Sequence, residues 1–256
     1  MRNFNYKHYL RKVHRYLGVF IGIQFLLWTL GGVYFSWTDI HQVRGDHLRA
    51  EPAELGIPTE SVSPAAALRN LADSIGPAEV TSLSTVRVLD EVHYLIKYRK
   101  DARAGSALAR IRDGSVRDPI TEADARAIAT GALANPTAIA DVAYVTEENV
   151  SGHHEFREKP LPAWAVRFEE GFTCYVSVNT GQLEAIRTDQ WRLFDFLWML
   201  HTMDFEGRDD INNYVLRGFS VLGIVTVASG FFLFLASSRF FRSLFRGDKR
   251  GSVETQ

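Results

Sequence analysis

Charge disappears from the chain twice. Residues 16–38 (YLGVFIGIQFLLWTLGGVYFSWT) run for 23 positions without Asp, Glu, Lys or Arg, and residues 218–238 (GFSVLGIVTVASGFFLFLASS) run for 21 more. At roughly 1.5 Å per residue, either run crosses the ~30 Å hydrocarbon core of a bilayer as a helix. The first is longer than a signal-peptide core and ends in Tyr34, Phe35, Ser36 and Trp37 rather than a small-x-small cleavage site, so it reads as a retained anchor.

Between the two runs the pattern is that of a soluble α+β region. Residues 39–60 contain Gly45, Pro52, Gly56 and Pro58 and read as a linker. A unit over 61–118 then opens with a helix at 63–75, where Ser63-Pro64 suits an N-cap and first helical position. Gly76-Pro77 stops it, and strands are predicted at 80–88, 92–98 and 106–111, the last two separated by a charged turn. A second unit over 119–188 repeats the order, with a helix at 121–133 and strands at 138–145, 163–168, 172–178 and 183–186. Asn179-Thr180-Gly181 predicts a tight turn with Gly181 at positive φ. Neither unit is large enough for a deep core of its own, so the two are expected to pack together.

The remaining segments are amphipathic or basic. Residues 1–15 place Phe4, Tyr6, Tyr9 and Val13 on one helical face, followed by Leu17, and are expected to lie along the inner membrane surface. Residues 189–206 place Phe194, Leu197, Trp198, His201 and Phe205 on one face and Arg192, Asp195 and Thr202 away from it. That pattern predicts an aromatic helix lying on the outer surface, joined by a connector at 207–217 to the second span. Residues 239–256 form a basic tail.

Charge then orients the molecule. Arg2, Lys7, Arg11, Lys12 and Arg15 precede the first span, and Arg239, Arg242, Arg246, Lys249 and Arg250 follow the second. The inner ends of the intervening region carry chiefly Arg44, Arg49, Arg208 and Arg217. The positive-inside bias predicts a bacterial inner-membrane protein with both termini cytoplasmic and residues 39–217 periplasmic. Tyr34, Trp37 and Tyr214 then fall at the outer interface, and Tyr16, Phe240 and Phe241 at the inner one. The formal net charge of −1 gives no reason to propose nucleic acid as a partner. The single cysteine, Cys174, excludes an intramolecular disulfide and any Cys-based cluster, and it sits in a strand-like run where a packed thiol is expected.

The helix-plus-meander repeat, with its last hairpin reading Cys174-Tyr175-Val176-Ser177-Val178-Asn179-Thr180-Gly181-Gln182-Leu183, resembles the PepSY domain, whose closing hairpin commonly has the form Y-V-x-x-x-T-G. The first unit departs from that form, with Ala109-Arg110-Ile111-Arg112-Asp113-Gly114 at the corresponding place. His14-Arg15-Tyr16-Leu17-Gly18 and Ser229-Gly230-Phe231 resemble the PepSY-associated transmembrane helix family. The resemblance implies a membrane α+β protein with two spans flanking two PepSY-like units. Longer relatives in that family are similar to siderophore–iron reductases that carry haem, and the matching positions here are His14 and His201.

Histidine placement is the main chemical clue. His8 and His14 fall at the inner edge, His41, His47 and His201 at the outer edge, and neither span carries one in its middle. His14 and His41 lie 27 positions apart, roughly 40 Å along a helix, too far to share one iron. His201, in the aromatic stripe, reads either as an axial haem ligand facing His41 or His47, or as a hydrogen-bonded interfacial anchor. His14 reads either as a ligand, completed by a second copy or a partner, or as a headgroup-level residue. The stripes Gly18, Gly22, Thr29, Gly32 and Ser220, Gly223, Val227, Gly230 read either as close helix packing or as room for a flat cofactor. Glu147, Glu148, His153, His154 and Glu155 form an acidic loop with the donor types for Zn²⁺ or Cu²⁺, or simply a solvated one. The chain carries no hydrolase, P-loop or dinucleotide fingerprint.

Two function classes follow. One is a redox accessory with haem b, through His14, His41 and His201, serving ferric-siderophore reduction or iron uptake. The other is a non-enzymatic periplasmic regulator, protease inhibitor or scaffold. Both place the chain in a lipid bilayer, as a homodimer or with a membrane-protein partner.

Overall fold

The computed structural model describes residues 6–52, 55–56 and 60–238, with the side chains of Tyr6 and Lys7 left aside. The predicted basic tail at 239–256, the expected belt residues Phe240 and Phe241, and Arg2 and Phe4 of the N-terminal segment lie outside the described residues. The chain divides into two compact units. One holds the chain up to Trp37 together with the chain from Phe196 onward, and the other is Thr38–Asp195.

In the first unit, α1 (Tyr6–Trp37) and α6 (Tyr214–Ser237) are both long and apolar enough to cross a membrane. They pack antiparallel: Phe25 meets Gly223, while His14, earlier in α1, meets Gly230, later in α6. Asn213 caps α6, its side-chain oxygen accepting from the Leu216 amide at 2.8 Å. The helix predicted separately for residues 1–15 is corrected here. From Tyr6 it is continuous with the apolar run, because no glycine or proline precedes Gly18 to break the ladder.

In the second unit, two antiparallel sheets follow the predicted order. Residues expected to be a linker are partly structured: α2 (Ile40–Val43) and a 3-10 turn at Asp46–Leu48 precede the first long element, and Val43 is buried. Gly45 explains the placement. It holds φ 74°, and a Cβ there would stand 2.9 Å from the Ile186 side chain. Ser63 caps α3 (Pro64–Ile75). Strands β1 (Glu79–Val88), β2 (Glu91–Lys100) and β3 (Arg103–Arg110) then form a meander in the order β1-β2-β3. Thr121 and Asp124 form a capping box at α4 (Glu122–Gly131). Strands β4 (Ile139–Val145), β5 (Ala163–Phe168), β6 (Thr173–Ser177) and β7 (Leu183–Arg187) form the second meander in that same order. After β7, α5 (Asp189–Thr202) carries the boundary between the two units, between Asp195 and Phe196.

One core joins the sheets. Val88, Leu95 and Leu108 from the first, Ala125 and Ala129 from α4, and Val166, Cys174, Val176 and Ile186 from the second are buried in a single cluster. Gly181 locks the contact from the turn side: at φ 63°, its missing Cβ would lie 2.8 Å from Val88. On the far face of sheet one, Tyr94, Ile96 and Ala109 bury against Ala67 and Leu71 of α3. On the far face of sheet two, Phe156 stacks on Tyr175 with ring centres 4.3 Å apart.

Candidate functional site

His14 is set by α1 and by the small residues of α6. The Ser229 hydroxyl donates to the Thr226 carbonyl at 2.8 Å, a back-bond of the kind serines make inside apolar helices. With that proton placed, the Ser229 oxygen accepts from His14 Nδ1–H at 2.7 Å. A neutral imidazole protonated at Nδ1 carries its lone pair on Nε2. The ring also lies against Gly230, where a Cβ would stand 3.2 Å from His14 Cε1 and 3.7 Å from Nε2.

Beside this histidine runs an apolar groove of about 530 Å³ whose lining includes Gly18, Gly22, Phe25, Val227, Gly230 and Phe234. The two glycine stripes do different things. On α6, Gly223 and Gly230 receive Phe25 and His14, whereas a Cβ at Gly18 or Gly22 of α1 would meet nothing within 4 Å. The α1 stripe therefore makes open space rather than close packing. Ser229 is eight residues before Ser237, so the His14–Ser229 pair sits roughly 12 Å from the end of α6.

His201 is enclosed by aromatic rings of its own unit. Its centroid lies 5.7 Å from Trp28, 6.0 Å from Phe35 and 6.2 Å from Trp198. Its Nδ1 and the Trp28 Nε1 are buried with no hydrogen-bond partner among the described residues. Gln24 of α1 donates to the Leu200 carbonyl at 3.3 Å, tying the last turn of α5 to α1. His14 contacts α6 fourteen residues before Trp28 on α1, roughly 21 Å along the helix, so His14 and His201 form two separate loci.

His41 belongs to the other unit, where it is exposed and its Nδ1 lies 2.8 Å from Asp46 Oδ2. The His41 contact, in which the Asp46 carboxylate accepts, holds that carboxyl below its ordinary range. His47 is exposed next to it.

Sequence reasoning missed a charge bracket around the start of α5. Arg157 Nη2 meets Asp195 at 2.6 Å, with side chains only 9% and 5% exposed. Arg192 meets Glu155 at 2.7 Å and also holds Asp189 and the Gly171 carbonyl. Arg187 donates to the Glu155 carbonyl at 2.8 Å and stacks over Trp191 at 4.0 Å. Tyr175 donates to the Glu155 carboxylate at 2.9 Å, and burial, reinforced by that carboxylate, pushes its hydroxyl well above the ordinary value, so it stays a neutral donor. Asp195, placed away from the apolar face by the sequence, is buried against Arg157, which supplies a counter-charge. Phe205 lies beyond the end of α5, outside the stripe assigned to it. Glu155 of the acidic loop is thus spent on structure, and His154 Nδ1 accepts from the Phe156 amide at 3.0 Å.

Two further buried groups are accounted for by packing. Cys174 is fully buried and burial pushes its thiol up to about 12. His93 is buried in the inter-sheet core, with Nδ1 donating to the Glu91 carbonyl at 3.2 Å. Among the described residues, no group of three or more His, Cys, Asp and Glu side chains is arranged to hold a metal ion.

In comparisons with known proteins, the chain matches no family model, no curated protein and no solved structure.

Proposed function

We infer that the protein is a membrane-anchored PepSY-type redox accessory in which the α1–α6 pair holds a haem b. The observation that carries this reading is the His14–Ser229 hydrogen bond beside a glycine-floored apolar groove. It supports the reading in three ways. An axial histidine needs a free, unprotonated ring nitrogen and a fixed orientation, and Ser229 supports both through Nδ1. A flat apolar macrocycle needs a surface without side chains, which Gly18 and Gly22 offer. A cofactor-sized space is needed, and about 530 Å³ falls within the usual range for such sites.

Bound there, haem would supply one-electron chemistry. The chain's own part is to present His14 Nε2, to exclude water with Phe25, Phe231 and Phe234, and to set Arg11, Lys12 and Arg15 within about a turn of His14 as partners for anionic groups. His201 joins this reading as a second candidate ligand inside an aromatic cage; His41, paired with Asp46, contributes least. The exposure of α1 and α6 along most of their length favours lipid as their surroundings over a soluble core. The bacterial inner membrane, with 39–217 periplasmic, remains the orientation that the flanking arginines favour, and ferric-siderophore reduction the task that the family resemblance favours.

The test is an absorption spectrum of the full-length protein purified in detergent from haem-replete cells. A reducible Soret and α-band lost in His14→Ala and retained in His41→Ala is the expected result. A colourless wild-type protein that also fails to take up added haemin would overturn the reading.

A further inference from the structure

Two polar side chains line the groove beside α1, His14 and Thr226, and the protons of the hydroxyls there are already used. The Thr226 hydroxyl donates to the Leu222 carbonyl at 2.7 Å, one turn back along α6. The neighbouring Ser229 hydroxyl donates to the Thr226 carbonyl and accepts from His14. Serine and threonine protons are commonly spent this way inside apolar helices. The rest of the lining is glycine, aliphatic carbon and the rings of Phe25, Phe231 and Phe234. Phe25 is seated by α6, its ring resting on Gly223, where a Cβ would stand 3.0 Å away.

This lining fixes how many protein atoms can hold an iron in the groove. A haem iron takes its axial ligands from His, Met, Cys or Tyr side chains. Among the described residues that line the groove, His14 alone carries such an atom, Nε2. The other donors of the same unit stand elsewhere. His8 is exposed, and six residues from His14 it lies roughly 9 Å along the α1 axis and two-thirds of a turn around it. Tyr9 and Tyr16 are exposed outside the groove. His201, with Met199 and Met203 beside it in the chain, belongs to the locus roughly 21 Å from His14. The remaining histidines and Cys174 belong to the Thr38–Asp195 unit.

We propose, on the haem reading above, that the groove gives the iron one protein ligand, His14, and leaves the opposite axial position to a small neutral molecule of the size of carbon monoxide or nitric oxide. Distal polarity, hydrogen-bond donors and steric access are what select among such ligands. A wall of phenyl rings makes a charged ligand costly to bury and a neutral one cheap. With the Thr226 and Ser229 protons spent on backbone carbonyls, neither hydroxyl donates to that ligand, so size and the bond to iron select it. A second copy that brought its own His14 would instead close the position and make the iron six-coordinate.

The full-length protein in detergent, loaded with haemin, separates these states without any activity measurement. The ferric protein should be high spin by electron paramagnetic resonance. The dithionite-reduced protein should bind carbon monoxide one to one with haem, read as a shift of the whole Soret band. Thr226→Val should leave carbon monoxide affinity unchanged, because the hydroxyl proton is turned to Leu222. A colourless protein that takes up no haemin overturns the haem reading and the open position together. A coloured protein that is low spin when ferric, or unchanged by carbon monoxide when reduced, overturns the open position alone. A Thr226→Val protein with altered carbon monoxide affinity would overturn the donor-free wall.

Discussion

His14 and Ser229 stand 215 residues apart in the chain and 2.7 Å apart in space. The bond ties the first long helix to the last and determines which imidazole nitrogen remains available. Removing the hydroxyl while keeping the histidine separates these roles. In Ser229→Ala, haem affinity should fall about 10- to 100-fold, the usual cost of losing an outer-shell partner. His14→Ala should abolish the same binding phase. Haemin titration followed at the Soret band measures both, and a Ser229→Ala protein titrating as wild type would refute the assigned role of the bond.

Arg157 and Asp195 form a buried pair that fastens α5 to the loop before β5. Deleting one partner leaves an uncompensated charge out of water. Arg157→Ala should therefore destabilise the Thr38–Asp195 unit by about 3–5 kcal/mol, whereas Arg157→Met with Asp195→Leu should recover most of that loss. Urea unfolding followed by tryptophan fluorescence checks it, since Trp191 lies under Arg187 and close to Arg157. Equal losses in the single and double variants would count against a charge-based explanation.

His93 gives the second unit a pH dependence. Burial in the inter-sheet core holds its imidazole below the ordinary value; the Glu91 carbonyl and carboxylate oppose this, while Arg117 and Arg110 add to it. The folded state thus prefers the neutral ring. Its contribution is complete above the unfolded value of about 6.5 and is lost as pH falls through the lowered folded value. Stability of the wild type should drop more steeply than that of His93→Gln as pH falls below about 6.5. Identical slopes in chemical denaturation at those pH values would exclude His93 as the source.

Gly181 resists a side chain on two grounds. Alanine there meets both the left-handed backbone at φ 63° and the Val88 side chain at 2.8 Å. Gly181→Ala should cost about 1–3 kcal/mol. Adding Val88→Ala should relieve the steric part but not the backbone part, so thermal melts of the single variants and the pair should be non-additive. Additive losses would mean the turn and the first sheet are not in contact.

Much of the architecture is written locally. Ser63-Pro64, the Thr121/Asp124 box and Asn179-Thr180-Gly181 are short-range signals, and the helices and turn they announce are present at those places. The strands were legible for the same reason, through strand-like runs and turn residues, with ends displaced by at most three residues. The segment 39–60 was misread because Gly45 and Pro52 look like linker residues until Ile186, far along the chain, supplies the surface that Gly45 fits. The burial of Asp195 was not legible, because no local pattern reveals that Arg157 will pair with it.

The same division holds for the candidate site. By itself the sequence determined that two charge-free runs flank the middle of the chain, that two helix-plus-meander units lie between them, and which histidines exist. These properties depend on composition and on neighbours a few residues away. Only the tertiary structure decided that the α6 glycines accept side chains while the α1 glycines leave a groove. It alone decided that His14 lies two turns inside α6 against Ser229, and that His201 is ringed by Trp28, Phe35 and Trp198. Those outcomes depend on the relative rotation and axial register of helices nearly 200 residues apart, a quantity that no local stretch of sequence contains.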